Sequence, residues 1–178
     1  MQPANPLQTA SPHRSRSKWE PPPPLHLKVN FDAAVFRETE EARLGVVVRD
    51  SLGKVLATLA EKIKLPSSSD EVEALAAVRA ITLAIDLNLP SFVVEGDSEV
   101  IISALRKEEE SFSSFGHLLF SIKHYLAFCN CFSFSHTRRS GNSLAHSLAK
   151  LARTIEGFSL WMEDVPPQVA DVLLVNCG

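Results

Sequence analysis

The chain has 178 residues, 45% hydrophobic and 22% charged, with a formal charge of −3 and a pI of about 6.1. That suits one globular domain with a sizeable core. It excludes a tight, sequence-blind polyphosphate binder, and the three cysteines, Cys129, Cys131 and Cys177, exclude a disulfide framework or a complete zinc site. No apolar run is long enough to span a membrane and the N-terminus lacks the apolar core of a signal peptide. The expectation is an intracellular, reducing compartment, nucleus or cytoplasm.

Residues 1–24 are rich in Pro, Ser and basic side chains and are expected to form a disordered tail or linker, stiffened by Pro21–Pro24. Residues 25–154 read as the folded domain. Leu27, Val29 and Phe31 alternate with Lys28, Asn30 and Asp32, the period of a strand with one buried face. Residues 43–50 read as a second strand, closed by the turn Asp50-Ser51-Leu52-Gly53, and residues 54–65 as a third, giving an antiparallel meander. Ser67–Asp70 offer caps for a long helix ending near Asp86. Residues 91–95 form a short strand, followed by helices over 98–107 and 115–127. Cys129 to Ser135 alternate as a fifth strand, which makes Cys129 and Cys131 buried thiols on one face. A last helix spans about 142–153, and residues 155–178 are expected to be an irregular extension with a short helix. The fold class is α/β, a mixed sheet flanked by helices.

Three acids stand out, each with a structural explanation of its own. Asp is depleted in strand interiors, so Asp32 either marks a strand-end turn or an exposed face, or serves as a metal-binding carboxylate on rigid backbone. Glu73 begins a helix face lined by Ala76, Ala77, Ala80 and Ala84, but Asp70-x-x-Glu73 also fits a capping box. Asp97 suits an N-cap, and it also lies at the carboxyl end of a strand, where open α/β sheets bind ligands.

Five blocks in order, WEPPPPLHLKVNFDAAV, GVVVRDSLGKVLA, EVEALAAVRAI, VVEGDSEVI and HTRRSGNSLAHSLAK, span residues 19–150. Together they resemble the type 1 ribonuclease H domain, most closely its reverse-transcriptase-like branch found in plants and related to retroelements. The resemblance implies a ribonuclease H-like fold with five strands in the order 3-2-1-4-5. It also implies a metal-dependent endonuclease that cleaves the RNA strand of RNA–DNA hybrids. Two Mg²⁺ ions, Mn²⁺ being an alternative, would be held by acidic residues and would activate water and stabilise the leaving oxygen. Asp32, Glu73 and Asp97 match three of the four family acids. His136 matches a mobile catalytic histidine, and Arg138, Arg139 and Asn142 fall where nucleic acid is bound; Lys150 is a further phosphate contact.

The sequence departs from that pattern in two places. Asn142-x-x-Ala145 is followed by His146 where the fourth acid is expected, which makes His146 a metal ligand of altered type, since neutral imidazole suits Mn²⁺ better than Mg²⁺. Ala33 replaces a common Gly. Two readings follow. One is a hybrid ribonuclease weakened by His146. The other is an inactive ribonuclease H-like module that binds nucleic acid or protein. The expected partner is an RNA–DNA hybrid, without membrane contact, and the expected state is a monomer.

Overall fold

The computed structural model describes residues 18–108 and 113–176. The first 17 residues of the expected tail, Glu109 and Glu110 of the acidic run, and Cys177 lie outside them.

β1 (Leu27–Phe36), β2 (Glu41–Arg49) and β3 (Val55–Lys64) form the expected antiparallel meander. The β2–β3 turn is held by Asp50 Oδ1, which accepts from Leu52 N and Lys54 N at 2.9 Å, with Gly53 in the left-handed region at φ 82°. α1 (Ser69–Asp86) then crosses the sheet and delivers β4 (Phe92–Gly96) parallel to β1. α2 (Glu99–Arg106) and α3 (Gly116–Leu126) lead to β5 (Phe132–His136), parallel to β4. α4 (Ser143–Leu151) follows, then β6 (Phe158–Met162) and α5 (Ala170–Asn176).

The sheet order is β5-β4-β1-β2-β3-β6. This contains the expected 3-2-1-4-5 arrangement and adds a sixth strand. The segment expected to be irregular forms β6, antiparallel to β3, and then places Val165 and Val169 under α4 in a second core cluster.

The main core lies on the side covered by α1, α2 and α3 and includes Val29, Phe31, Val46, Val48 and Ile81. Ala76, Ala77, Ala80 and Ala84 are fully buried, and these small side chains let α1 lie close on the sheet.

Three more expectations change. β1 is buried on both faces, because it is the central strand: Lys28, Asn30 and Asp32 are as inaccessible as Val29 and Phe31. β5 begins at Phe132, so Cys129 and Cys131 sit in the preceding turn as free thiols, Cys129 half-buried and Cys131 exposed. The ordered body also starts earlier than residue 25, since Trp19 is buried and bonds to Asn30.

Candidate active site

Asp32 lies opposite Gly45 of β2 on the face that α4 crosses. A Cβ at Gly45 would collide with the Ala145 carbonyl and the Ala149 amide, so only glycine lets α4 rest on the backbone here. This close approach brings His146 Nδ1 to 2.6 Å from Asp32 Oδ2. Asp97 directly follows Gly96, whose α-carbon is packed against the Phe31 ring, at the carboxyl end of β4. Glu73 enters from α1. One ligand atom from each of Asp32, Glu73 and Asp97 lies within 4.8 Å of the others.

The structural explanations for these acids fall away. Ser68, not Asp70, is the N-cap of α1, accepting from Glu71 N, and Ser98, not Asp97, caps α2 by accepting from Ile101 N. Each cap supplies about 1 kcal/mol without either acid. Glu73 and Asp97 are therefore free of helix-capping duty.

The pocket penalises negative charge. Burial, then the nearby Asp97 carboxylate, push Asp32 up to about 7, with Arg139 pulling the other way. Burial, then Asp32 and Asp97, push Glu73 up to about 8. Asp32 Oδ1 and Glu73 Oε2 are buried and have no hydrogen-bond partner. Arg139 supplies the available positive charge, with Nε 2.7 Å from Asp97 Oδ2 and one terminal nitrogen 3.3 Å from Asp32 Oδ2. That same nitrogen contacts His146 Nδ1. Burial, then Arg139 and Lys150, hold the His146 imidazole below its ordinary pKa, which favours the neutral ring.

The remaining expected site residues divide by position. His136 is exposed at the end of β5, with Nε2 3.3 Å from the Asp97 carbonyl oxygen. It and Arg138 line a cleft of about 200 Å³ shared with Lys18 and Glu20. Lys150 is exposed near the end of α4. Asn142 differs from expectation. It is fully buried, donates to the Phe31 carbonyl at 2.8 Å and accepts from Asn30 Nδ2 at 3.3 Å. Its side chain has no surface left for nucleic acid; it pins the start of α4 to β1 beside Asp32.

Sequence reasoning missed the polar layer beneath the acids. Asn30 also donates to Glu95 at 3.0 Å and accepts from Trp19 Nε1 at 3.0 Å. Lys28 pairs with Glu95 at 2.9 Å and donates to the Glu20 carbonyl at 2.6 Å. The Arg49 guanidinium lies 3.8 Å from the Trp19 ring centroid. The signal was the alternation Lys28-Asn30-Asp32 itself, three polar residues in a central strand.

This donor set fits a hard divalent cation. Carboxylate oxygens supply it, and two buried, unpartnered oxygens mark where positive charge is wanted. His146 lies beside this trio as the hydrogen-bond partner of Asp32.

Comparison with known proteins bears on the fold and the family. The profile of the reverse transcriptase-like family matches residues 30–152. Ribonuclease H1 of the archaeon Halobacterium salinarum is similar in structure, with a TM-score of 0.65 and 21% identity over 72% of this chain and 97% of that one. The N-terminal ribonuclease H domain of a Mycobacterium tuberculosis protein gives 0.64 and 17%, over 71% and 92%. LC11 ribonuclease H1, isolated from compost and solved with an RNA/DNA hybrid, gives 0.62 and 19%, over 70% and 94%. At these identities the likeness carries the ribonuclease H fold. No curated protein sequence matches the chain.

Proposed function

The chain belongs to the reverse transcriptase-like family, and on that premise we propose that it is a metal-dependent endoribonuclease that cuts the RNA strand of RNA–DNA hybrids. The observation that carries this reading is the convergence of Asp32, Glu73 and Asp97 from three separate elements, with two buried carboxylate oxygens left without a partner. These three residues would hold Mg²⁺, or Mn²⁺ in its place. When bound, the metal supplies a Lewis acid that activates water and stabilises the leaving 3′ oxygen.

The chain's own residues do the rest. Asp32 is fixed on the central strand and Asn142 locks α4 beside it, so the carboxylates are preorganised. Arg139 balances their charge, and its half-exposed side chain would be free to turn toward a phosphate if a cation were held by the same carboxylates. His136, its Nε2 hydrogen-bonded to the Asp97 carbonyl, is exposed and is placed to exchange a proton with solvent. Arg138 offers a further phosphate contact. Discrimination would rest on 2′-hydroxyls and groove shape rather than base sequence.

One observation favours a second reading, hybrid binding without cutting. His146 and Arg139 both engage the same Asp32 oxygen, where the family places a fourth acid.

Cleavage of a labelled hybrid in Mg²⁺ and in Mn²⁺ tests the two readings, with Asp32→Asn as control. The expected result is cutting that vanishes in Asp32→Asn, runs faster in Mn²⁺ than in Mg²⁺, and gains in Mg²⁺ when His146→Asp restores the acid. Absence of cutting in either metal by the folded protein and by His146→Asp would leave the binding reading.

A further inference from the structure

The strand β6 lies beyond the family match, which ends at residue 152. It runs between two left-handed turns, Gly157 at φ 70° and Glu163 at φ 55°, and closes one edge of the sheet. Lys62 N donates to the Gly157 carbonyl at 2.7 Å, and Glu163 N donates to the Leu56 carbonyl at 2.8 Å. In an antiparallel ladder inward and outward backbone groups alternate, so residues 157, 159, 161 and 163 face β3. Phe158, Leu160 and Met162 then turn their N–H and C=O groups outward. The same three side chains are exposed, at 57%, 42% and 53%.

An edge of this kind is unusual. Natural edge strands are blunted by Lys, Pro, bulges or a covering element, and FSLWM has neither Lys nor Pro. Among the described residues no strand pairs with the outer side of β6.

We propose that two copies of this chain associate through β6, paired antiparallel about a twofold axis at Leu160. The strand is complementary to itself in this register. Leu160 meets Leu160 of the second copy and Phe158 meets Met162, each as a pair whose outward backbone groups face one another. All six apolar side chains fall on one face of the joined sheet. Glu156, Glu163 and Asp164 flank the strand, with Glu156 in register with Asp164 of the second copy; Glu156 and Glu163 are ion-paired within their own chain, to Lys62 and Lys54. This tempers like-charge repulsion at the ends of the ribbon. The contact is isologous and closed, so it ends at a dimer.

Sedimentation velocity over a concentration series should show the full chain moving from monomer to dimer mass. Leu160→Lys and Leu160→Pro should each halve the mass at high concentration and leave the thermal midpoint of the monomer in place. The proline removes only an N–H that faces outward, a position where edge strands tolerate it. Under mild oxidation Leu160→Cys should form a covalent dimer, because directly opposed residues in such a pair lie about 5.5 Å apart at Cα, within disulfide reach. Ser159→Cys, on the other face, should crosslink no faster than the wild-type chain with its native cysteines. A wild-type chain that stays monomeric at every concentration overturns the proposal. So does a dimer that survives Leu160→Lys, or equal crosslinking of the two cysteine variants.

Discussion

The two faces of β1 are equally hidden from water and made of opposite materials. Val29 and Phe31 pack into the main core with Ala77 and Ile81, and all four are fully buried. Lys28, Asn30 and Asp32 point the other way, at 5%, 0% and 0% exposure. On the first face burial itself stabilises, by about 1.5–3 kcal/mol per large side chain. On the second, burial costs several kcal/mol for each group left without a partner. Lys28 and Asn30 answer that cost with Glu95, Asn142, Trp19 and the Glu20 carbonyl. Asp32 does so in part, leaving Oδ1 unpartnered. The comparison separates roles within one strand: the apolar face holds the fold, and the polar face is kept for a site at some expense of stability.

Breaking the apolar face should have the largest effect. Phe31→Ala empties a fully buried position and should cost about 3–5 kcal/mol in urea unfolding. On the polar face, Lys28→Met should cost about 3 kcal/mol, because it leaves Glu95 charged and buried. Adding Glu95→Gln should recover most of that loss, since the amide oxygen still accepts from Asn30 Nδ2. No recovery in the double variant would mean that the pair itself, and not the stranded charge, matters. Asn142→Ala removes two buried hydrogen bonds and should cost about 1–2 kcal/mol. It should also lower hybrid cleavage without removing any carboxylate.

The polar face was half legible in the sequence. Asp32 was conspicuous because Asp is rare in strand interiors, and the ordered blocks around Glu73 and Asp97 linked it to the other two acids. Lys28, Asn30 and Glu95 were not seen as a layer, because a period-two pattern has the same form whether its polar face meets water or a second helix. Only topology decides that, and β1 became central through pairing with both β2 and β4. Asn142 was misread for a related reason: its place in a motif does not tell whether its amide faces ligand or backbone. The β5 boundary slipped because Cys129 and Cys131 also keep a period of two, out of phase with Phe132 and Phe134, while pairing with β4 starts only at Phe92 opposite Phe132. β6 carried a faint signal, the strand formers Phe158 and Trp161 in a short run after Gly157, lost between the proline pair Pro166-Pro167 and the expectation of an irregular tail.

The smallest effect is the most diagnostic of the two faces. Asp32 near 7 and Glu73 near 8 stand above their ordinary 3.8 and 4.5. Between these limits the folded chain holds protons that the unfolded chain has released, so the stability these groups contribute is complete in acid. It falls as pH rises from those ordinary values and is gone above about 7 and 8. A divalent cation held there would take the place of those protons, so its protection should grow in the same window. Thermal midpoints with Mg²⁺ and with EDTA, at about pH 6 and about pH 8.5, should differ little at the first and clearly at the second. Asp32→Asn should soften that fall in EDTA and abolish the Mg²⁺ shift. A shift of equal size at both pH values would place the cation elsewhere. His146 has the opposite sign: its pKa is depressed below 6.5, so its contribution is lost as pH falls. An acid-side slope that persists in Asp32→Asn and disappears in His146→Gln would assign that slope to the imidazole. Neither slope should change when the apolar face is altered, because no group on it titrates.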